Sequence, residues 1–492
     1  MNTSVAVCFA FCLAPLTLGH RDPHFWNGRN TIVHLFEWKW RDVADECERF
    51  LQHKGYAGVQ ISPPNENLVI ENRPWWERYQ PVSYKLKNRS GNETDFTDMT
   101  RRCNAVGIRI YADVVVNHMT AGNGMGTGGS EAYYHNTTYP AVPYNPNDFH
   151  RPCGVKNYQD PVNVRNCRLK GLADLNQGLD HVREEIIVFM NHLISLGVAG
   201  FRIDAAKHMW PTDLAYIFSK LNNLNVNFGF SSNSKPFIYQ EVIDYGGEAI
   251  SKHEYTDLGS VVEFKFSYEL CNAFRGNNKL SYLKNWGPAW SLLPSDKAIA
   301  FVDNHDNQRS GGVTLTYKEP KKYKMAIAFM LAHPYGTTRI ISSFSFDDKD
   351  QGPPADASGN LISPKIKEDG SCSNEYVCEH RWKQISNMVE FRNVVAGTNV
   401  DNWWSDDNQQ IAFSRGNKGF VVFTNGGQIN KVFQTALPPG TYCDVISGEV
   451  LDGKCTGKTV TVGEDGMGQV LLSDVEGEGA LAIHIKARLN FM

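Results

Sequence analysis

The chain has 492 residues, a length suited to two or three domains rather than one. Hydrophobic residues make up 41% and charged residues 21%, the balance of a globular protein with a large core. A net charge of −4 excludes the basic footprint by which nucleic acid or an anionic membrane surface would be held.

The first stretch, MNTSVAVCFAFCLAPLTLGH, carries an uncharged apolar run from Val5 to Leu18, then small residues and a polar restart. The run is too short for a comfortable bilayer span and reads as a signal peptide over residues 1–19, cleaved near Gly19–His20. No later apolar run reaches spanning length, so the mature chain is expected to be soluble, secreted and extracellular. Of eleven cysteines, Cys8 and Cys12 leave with the signal and nine remain. In an exported chain these read as disulfides. Cys153–Cys167, Cys372–Cys378 and Cys443–Cys455 are plausible local pairs. Among Cys47, Cys103 and Cys271 one must stay unpaired, and Cys271, inside the apolar FSYELCNAF, is the candidate. Asn88, Asn92 and Asn136 head glycosylation sequons.

From Asn30 to about Gly397 eight β-rich runs follow one another: 31–38, 57–62, 108–116, 198–204, 237–242, 260–265, 298–303 and 337–344. Helical patterns separate most of them, and in DHVREEIIVFMNHLISLG Val182, Ile186, Met190, Leu193 and Ile194 form one apolar stripe. A last helix, 380–395, closes the set. The alternation predicts an α/β fold, a (β/α)8 TIM barrel, rather than an open doubly wound sheet. Neither a G-x-G-x-x-G after the first strand nor a P-loop is present, which weakens a nucleotide-binding reading. The connection after strand 3 is too long for a simple loop and is rich in Gly, Asn, Tyr and Pro. It reads as an inserted subdomain over residues 117–179, with the barrel on residues 20–116 and 180–400. Residues 401–492 alternate in short strands without helical periodicity, as in an antiparallel β-sandwich of Greek-key type.

In such barrels reactive groups stand at the C-terminal strand ends. Strand 3 ends in Asn117–His118; strand 4 carries Arg202 and Asp204, then Lys207–His208. Strand 5 ends at Glu241, strand 7 at Asp303–Asn304–His305–Asp306, and Arg339 stands in strand 8. Asp204, Glu241 and Asp306 therefore converge on one mouth. Clustering acids is electrostatically costly, and the cost is useful where one must keep its proton while another is ionised, as in glycosidic hydrolysis.

The blocks DVVVNH (113–118), GFRIDAAKH (200–208), YQEVI (239–243) and FVDNHD (301–306) resemble the four short motifs of the α-amylase family of glycoside hydrolases. HLFEWKW, RPWWERYQPVSY, CRLKGLADL and MLAHPYG extend the resemblance to animal-type members over nearly the whole mature chain. The resemblance implies that Asp204 is the nucleophile, Glu241 the general acid/base and Asp306 a stabiliser of the oxocarbenium-like transition state. It implies sugar contacts from Trp75, Trp76, Tyr79, Gln80, His118, Lys207, His208, Ile243 and His305. It implies one structural Ca2+ held by Asn117, Asp174 and the carbonyls of Arg165 and His208, and one activating chloride held by Arg202, Asn304 and Arg339. It also implies the pair Cys47–Cys103, leaving Cys271 free. Without the family, the plain reading of Arg202 is a salt bridge to Asp204 or a neighbour. The segment NQRSGGVTLTY is shorter than the glycine-rich loop of vertebrate members and has no histidine at its tip.

The expected protein is a secreted, monomeric hydrolase of α-1,4-glucosidic bonds in starch, glycogen and malto-oligosaccharides. An α-glucosidase or glucanotransferase on the same barrel is the alternative, separable by products. A non-catalytic ancillary subunit of a membrane transporter is disfavoured, because that class usually lacks the acids and carries a true span.

Overall fold

The computed structural model describes residues 19–475 and 477–489; the apolar leader with Cys8 and Cys12 lies outside them. Eight parallel strands close into a barrel: β1 (Thr31–Leu35), β2 (Gly58–Ile61), β3 (Arg109–Val114), β4 (Gly200–Ile203), β5 (Phe237–Gln240), β6 (Ser260–Val262), β7 (Ala298–Ala300) and β8 (Thr337–Ser342). Closure is seen at β1, where Thr31 opposes Thr338 of β8 while Ile32 opposes Gly58 of β2. The strands read as apolar runs because the helices outside and the side chains inside bury both faces.

Helices follow most strands: α1 (Trp40–Glu46), α2 (Glu93–Ala105), α4 (Asp180–Ser195), α5 (Pro211–Ser219), α6 (Phe264–Arg275), α7 (Pro320–Ala332) and α8 (Lys383–Val394). Asn92 caps α2, its side chain accepting from the Thr94 and Asp95 amides, and Asp95 completes the capping box. One sequence expectation needs correction. The run 260–265 is strand only to Val262, and α6 begins at Phe264, where the Glu263 side chain accepts from the Lys265 amide. Between β5 and β6 there is no α-helix but a 3-10 turn, Lys252–Tyr255, pinned from beneath by the buried ion pair of Lys252 with Glu263 (2.6 Å). A short crossover of this kind has too few apolar positions to show helical periodicity.

Between β3 and α4 the chain leaves the barrel. It forms a small ladder (Gly124–Met125 with Glu131–Ala132), several 3-10 turns and the short helix α3 (Pro161–Asn166). Its two ends run antiparallel: the Met119 amide donates to Ala173 (2.9 Å) and the Leu175 amide to Asn117 (3.1 Å). The structure joins Cys153 to Cys167 within it, and elsewhere Cys47 to Cys103, Cys372 to Cys378 and Cys443 to Cys455. Cys271 is the free thiol among the described residues, buried under the β7 loop.

The C-terminal part comprises β9 (Val400–Ser405), β10 (Gln410–Arg415), β11 (Gly419–Thr424), β12 (Gln428–Gln434), β13 (Gly440–Cys443), β14 (Thr459–Val462), β15 (Met467–Ser473) and β16 (Ala480–His484). One antiparallel sheet has the order β9-β10-β11-β16 and the other β12-β15-β14-β13, a Greek-key arrangement. Between the sheets lie Ala412, Phe420, Val422, Ile429, Val470 and Ile483. The opposite face of the first sheet joins the barrel core, with Phe413 and Phe423 against Phe329 of α7 (6.0 and 5.9 Å).

Candidate active site

The barrel mouth holds a cleft of about 910 Å³. Asp204, Glu241 and Asp306 line it together with Trp75, Trp76, Tyr79, Gln80, His118, Lys207, His208, Ile243 and His305. Leu169, Lys170 and Leu172 reach it from the inserted subdomain, and Lys349 and Asp350 from the segment after β8.

Strand β4 sets the central geometry. Its first residue is Gly200, where a Cβ would stand 2.1 Å from the Phe237 carbonyl oxygen of β5. In register, Arg202 opposes Asp113 of β3 and Tyr239 of β5. Its Nη1 donates to Asp113 Oδ1 (2.6 Å) and Asp204 Oδ1 (2.9 Å), while Nη2 meets Glu241 Oε1 at 2.8 Å. The plain reading of Arg202, a salt bridge to Asp204 or a neighbour, describes this geometry: a buried guanidinium is stable where carboxylates surround it. Asp113 was not singled out from the sequence. Only the β3–β4 register reveals that it lies level with Arg202.

The next residue, Ala205, takes φ 48°, a left-handed conformation that is strained for alanine. The strain turns its amide into the cleft, where it donates to Glu241 Oε2 (2.8 Å). Burial, then the Glu241 charge, pushes the Asp204 carboxyl well up, against the pull of Arg202. Asp306 is raised by burial and by Glu241.

An aromatic wall faces them. Tyr79 stacks on His305 with centroids 5.0 Å apart and 4° between planes, and its hydroxyl donates to Asp113 Oδ2 (3.0 Å). The indole N–H groups of Trp75 and Trp76 donate to the Lys349 carbonyl (2.9 Å) and to Asp350 Oδ1 (3.2 Å). Gln80 Oε1 accepts from the Ala121 amide (2.8 Å). Lys207 Nζ donates to the Ile243 carbonyl (2.6 Å), pairs with Glu248 and lies over the Tyr158 ring.

The three histidines are neutral, each pushed down chiefly by burial, His118 to about 4. Both ring nitrogens of His118 are engaged: Nε2 donates to the Tyr79 carbonyl (3.0 Å) and Nδ1 accepts from the Asn117 amide group (3.1 Å). A sugar hydroxyl would have to share or displace the Tyr79 carbonyl, which qualifies the expected contact. His208 Nδ1 donates to the Val164 carbonyl (2.9 Å) and so ties the turn after β4 to α3.

That tie sets His208 beside the helix that carries Arg165, and the His118–Asp174 bridge sets Asp174 next to Asn117. Asn117 Oδ1 is buried without a partner, and Asp174 is buried with Oδ2 on His150 Nδ1 (2.8 Å). Arg165 lies in the last turn of α3, where helix carbonyls lack intrahelical partners. Gln177 Nε2 fixes the strand end by donating to the carbonyls of Val116 (3.0 Å) and Asn117 (3.2 Å). Among the described residues no group of three or more His, Cys, Asp or Glu is placed to hold a metal. An orphaned amide oxygen, one carboxylate and main-chain carbonyls do fit a hard cation such as calcium.

Deeper in the barrel, Arg339 Nη1 donates to Gln60 Oε1 (2.9 Å), and Tyr239 donates to the same oxygen (2.9 Å). Gln60 Nε2 and His34 Nε2 are buried there without partners. Asn304 Oδ1 accepts from the amides of Asp306 (3.1 Å) and Asn307 (2.7 Å), which shapes the loop bearing Asp306. Two buried guanidiniums, the Asn304 carboxamide and the orphaned Gln60 amide fit a small anion as a donor set.

The sequons differ in what their side chains do. Asn88 Nδ2, the atom a glycan would occupy, donates to the carbonyls of Pro63 (3.3 Å), Pro64 (2.8 Å) and Asn65 (3.2 Å). Asn92 is exposed with Oδ1 in the cap, and Asn136 is exposed.

The comparisons agree with this architecture. Residues 49–342 match the α-amylase catalytic domain model and residues 402–486 the α-amylase C-terminal all-β domain model. An α-amylase of Tribolium castaneum is 65% identical over 97% of this chain and 98% of its own. An "Alpha-amylase-related protein" of Drosophila willistoni is 55% identical over 99% of this chain and 100% of its own. The solved α-amylase I of Eisenia fetida superposes with a TM-score of 0.90 at 43% identity, covering 94% of this chain and 98% of that one; a mutant of it is known in complex with maltohexaose. The chain belongs to the α-amylase family of glycoside hydrolases.

Proposed function

We propose that the protein is a secreted α-amylase that cleaves internal α-1,4-glucosidic bonds of starch and glycogen with retention of configuration. The observation that carries this reading is the bridging of Asp204 and Glu241 by one guanidinium, at 2.9 and 2.8 Å, at the floor of an aromatic-walled cleft. A single fork holds both carboxylates close together, in keeping with the separation of about 5–5.5 Å that a covalent, retaining mechanism uses.

In the first step Asp204 attacks the anomeric carbon, and its bond to the leaving oxygen breaks as Glu241 gives that oxygen a proton. In the second, Glu241 takes a proton from water, which attacks the glycosyl ester and frees Asp204. Asp306 stabilises the positive charge developing on the ring in both. Trp75, Trp76 and Tyr79 offer rings to the apolar faces of glucose, and Lys207, His208, His305 and Gln80 offer polar atoms. Arg202 fixes the two reacting carboxylates, and the Ala205 amide orients Glu241.

Asn117, Asp174 and the carbonyls of Arg165 and His208 would hold a calcium ion that fastens the inserted subdomain to the barrel. Arg202, Asn304 and Arg339 would hold a chloride, whose charge offsets the guanidinium facing Glu241 and leaves the proton on the acid. Glycans would sit on Asn88, Asn92 and Asn136, of which Asn88 would have to give up hydrogen bonds of its side chain.

Starch digestion by the purified protein, with the fresh products followed by NMR, tests the reading. Mixed malto-oligosaccharides released as α-anomers support it. Glucose alone, transfer products or initial β-anomers would contradict it.

A further inference from the structure

Two large exposed aromatic residues stand at the barrel mouth outside the cleft just described. Tyr245 lies in the loop after β5 and is 48% exposed; Tyr268 lies in the first turns of α6, after β6, and is 45% exposed. Both follow directly from C-terminal strand ends, so both are on the face that carries the acids. Strand β6 lies between β5 and β7, the strands that lead to Glu241 and Asp306.

The two rings meet edge to face, with centroids 5.7 Å apart and 61° between planes. Tyr245 also rests on Phe264 (6.5 Å), which packs against Phe301 at the end of β7 (5.1 Å). The pair is therefore anchored from beneath by buried rings while much of each tyrosine meets solvent. The surface is continuous with the cleft, because Ile243 and Glu248 of the same loop line it. Gly246 and Gly247, with φ of 95° and 91°, turn the chain sharply after Tyr245. Burial, then the Asp306 charge, pushes the Tyr245 hydroxyl up.

We propose that Tyr245 and Tyr268 form an aromatic shelf that binds glucose units of an α-glucan chain beyond the scissile bond, on the leaving-group side. The side follows from Glu241, which protonates the leaving oxygen and from which the loop bearing Ile243 and Tyr245 runs outward. Rigid rings with exposed faces suit the apolar C–H faces of pyranose units and lose little entropy on binding. The shelf rests on the reading of the cleft as an α-glucan site.

The test compares kcat/KM for maltoheptaose with that for a maltotrioside bearing a nitrophenyl leaving group, too short to reach the shelf. In the double variant Tyr245→Ala/Tyr268→Ala the ratio of long to short is expected to fall about fivefold. Tyr245→Phe/Tyr268→Phe keeps the rings and should keep the wild-type ratio. Should the alanine pair fail to fold, Tyr245→Leu alone retains apolar bulk without a ring. With maltoheptaose labelled at its reducing end, it should shift cleavage so that the labelled products shorten. An unchanged ratio and an unchanged cleavage pattern, or equal loss on both substrates, would overturn the shelf. A wild-type protein inactive on every α-glucan would instead sink the cleft reading beneath it.

Discussion

At the residue scale, the arginine two positions before Asp204 decides most of the site's electrostatics. Arg202 is fully buried, and three carboxylates converge on it. Removing it leaves Asp113 and Asp204, both already raised by burial, without their counter-charge. Burial and Glu241 raise Asp204, so its reactive, ionised form is lost on acidification at a pH above the ordinary carboxylate value of about 4. The acidic limb of kcat/KM should therefore have its midpoint above that value, and a midpoint at or below it would contradict the electrostatics. A second expectation concerns Arg339. Arg339→Gln removes one of two guanidiniums from the donor set that fits an anion, so the stimulation of the dialysed enzyme by added chloride should disappear. Full wild-type activity without halide, with no shift in pH optimum, would show that no chloride acts here.

At the scale of elements, the sequence made the strands visible and hid much of what joins them. The eight barrel strands were legible because parallel strands buried on both faces are written as apolar runs. Helix α6 was not, because its first residues continue the apolar run of β6. The three acids were legible as strand ends. Asp113, Gln60 and Gln177 were not, since their roles depend on register, and register is a property of paired strands.

The same scale holds a buried knot that no motif announced. Glu46 of α1, with no exposed surface, receives Arg381 Nε (2.6 Å), His380 Nε2 (2.9 Å) and Arg49 Nε (2.6 Å). Burial opposes its ionisation, but the hydrogen bonds from His380 and Arg381 outweigh that and hold the carboxyl well below its usual range. Burial keeps His380 itself low, so Arg381 supplies the balancing charge at neutral pH. A depressed acid contributes stability fully above its unfolded value of about 4.3 and loses it as pH falls further. Glu46→Ala, which strands two buried partners, should cost about 3–5 kcal/mol by chemical denaturation at pH 7. A cost below about 1 kcal/mol would mean that the knot is incidental.

At the scale of the whole molecule, the barrel and the inserted subdomain line one cleft while the C-terminal sandwich packs on α7, and two junctions hold these bodies together. The inserted subdomain is tied to the barrel through Asn117, Asp174, α3 and the turn after β4, where the cation would sit. EDTA should lower Tm and activity together, and excess calcium should restore both; unaltered Tm after exhaustive chelation would remove calcium from the account. The C-terminal sandwich is joined more intimately. Arg415 of β10 donates to the carbonyl of Ala332 in α7, and Asn387 Nδ2 of α8 donates to those of Val445 and Gly448 (3.0 Å each). With Phe413 and Phe423 in the barrel core, its first role in this structure is to cover α7. The composition change near residue 400 marked the boundary but said nothing of the shared core, because the residues that form it come from both sides.

The central claim is that Asp204, held by Arg202 beside Glu241, is the group that attacks the sugar. The direct measurement is the initial rate of starch hydrolysis by Asp204→Asn beside the wild type, with circular dichroism confirming equal folding. The substitution keeps shape and removes the nucleophile, so the rate should fall by several orders of magnitude. An Asp204→Asn protein that hydrolyses starch within tenfold of the wild-type rate would contradict the assignment.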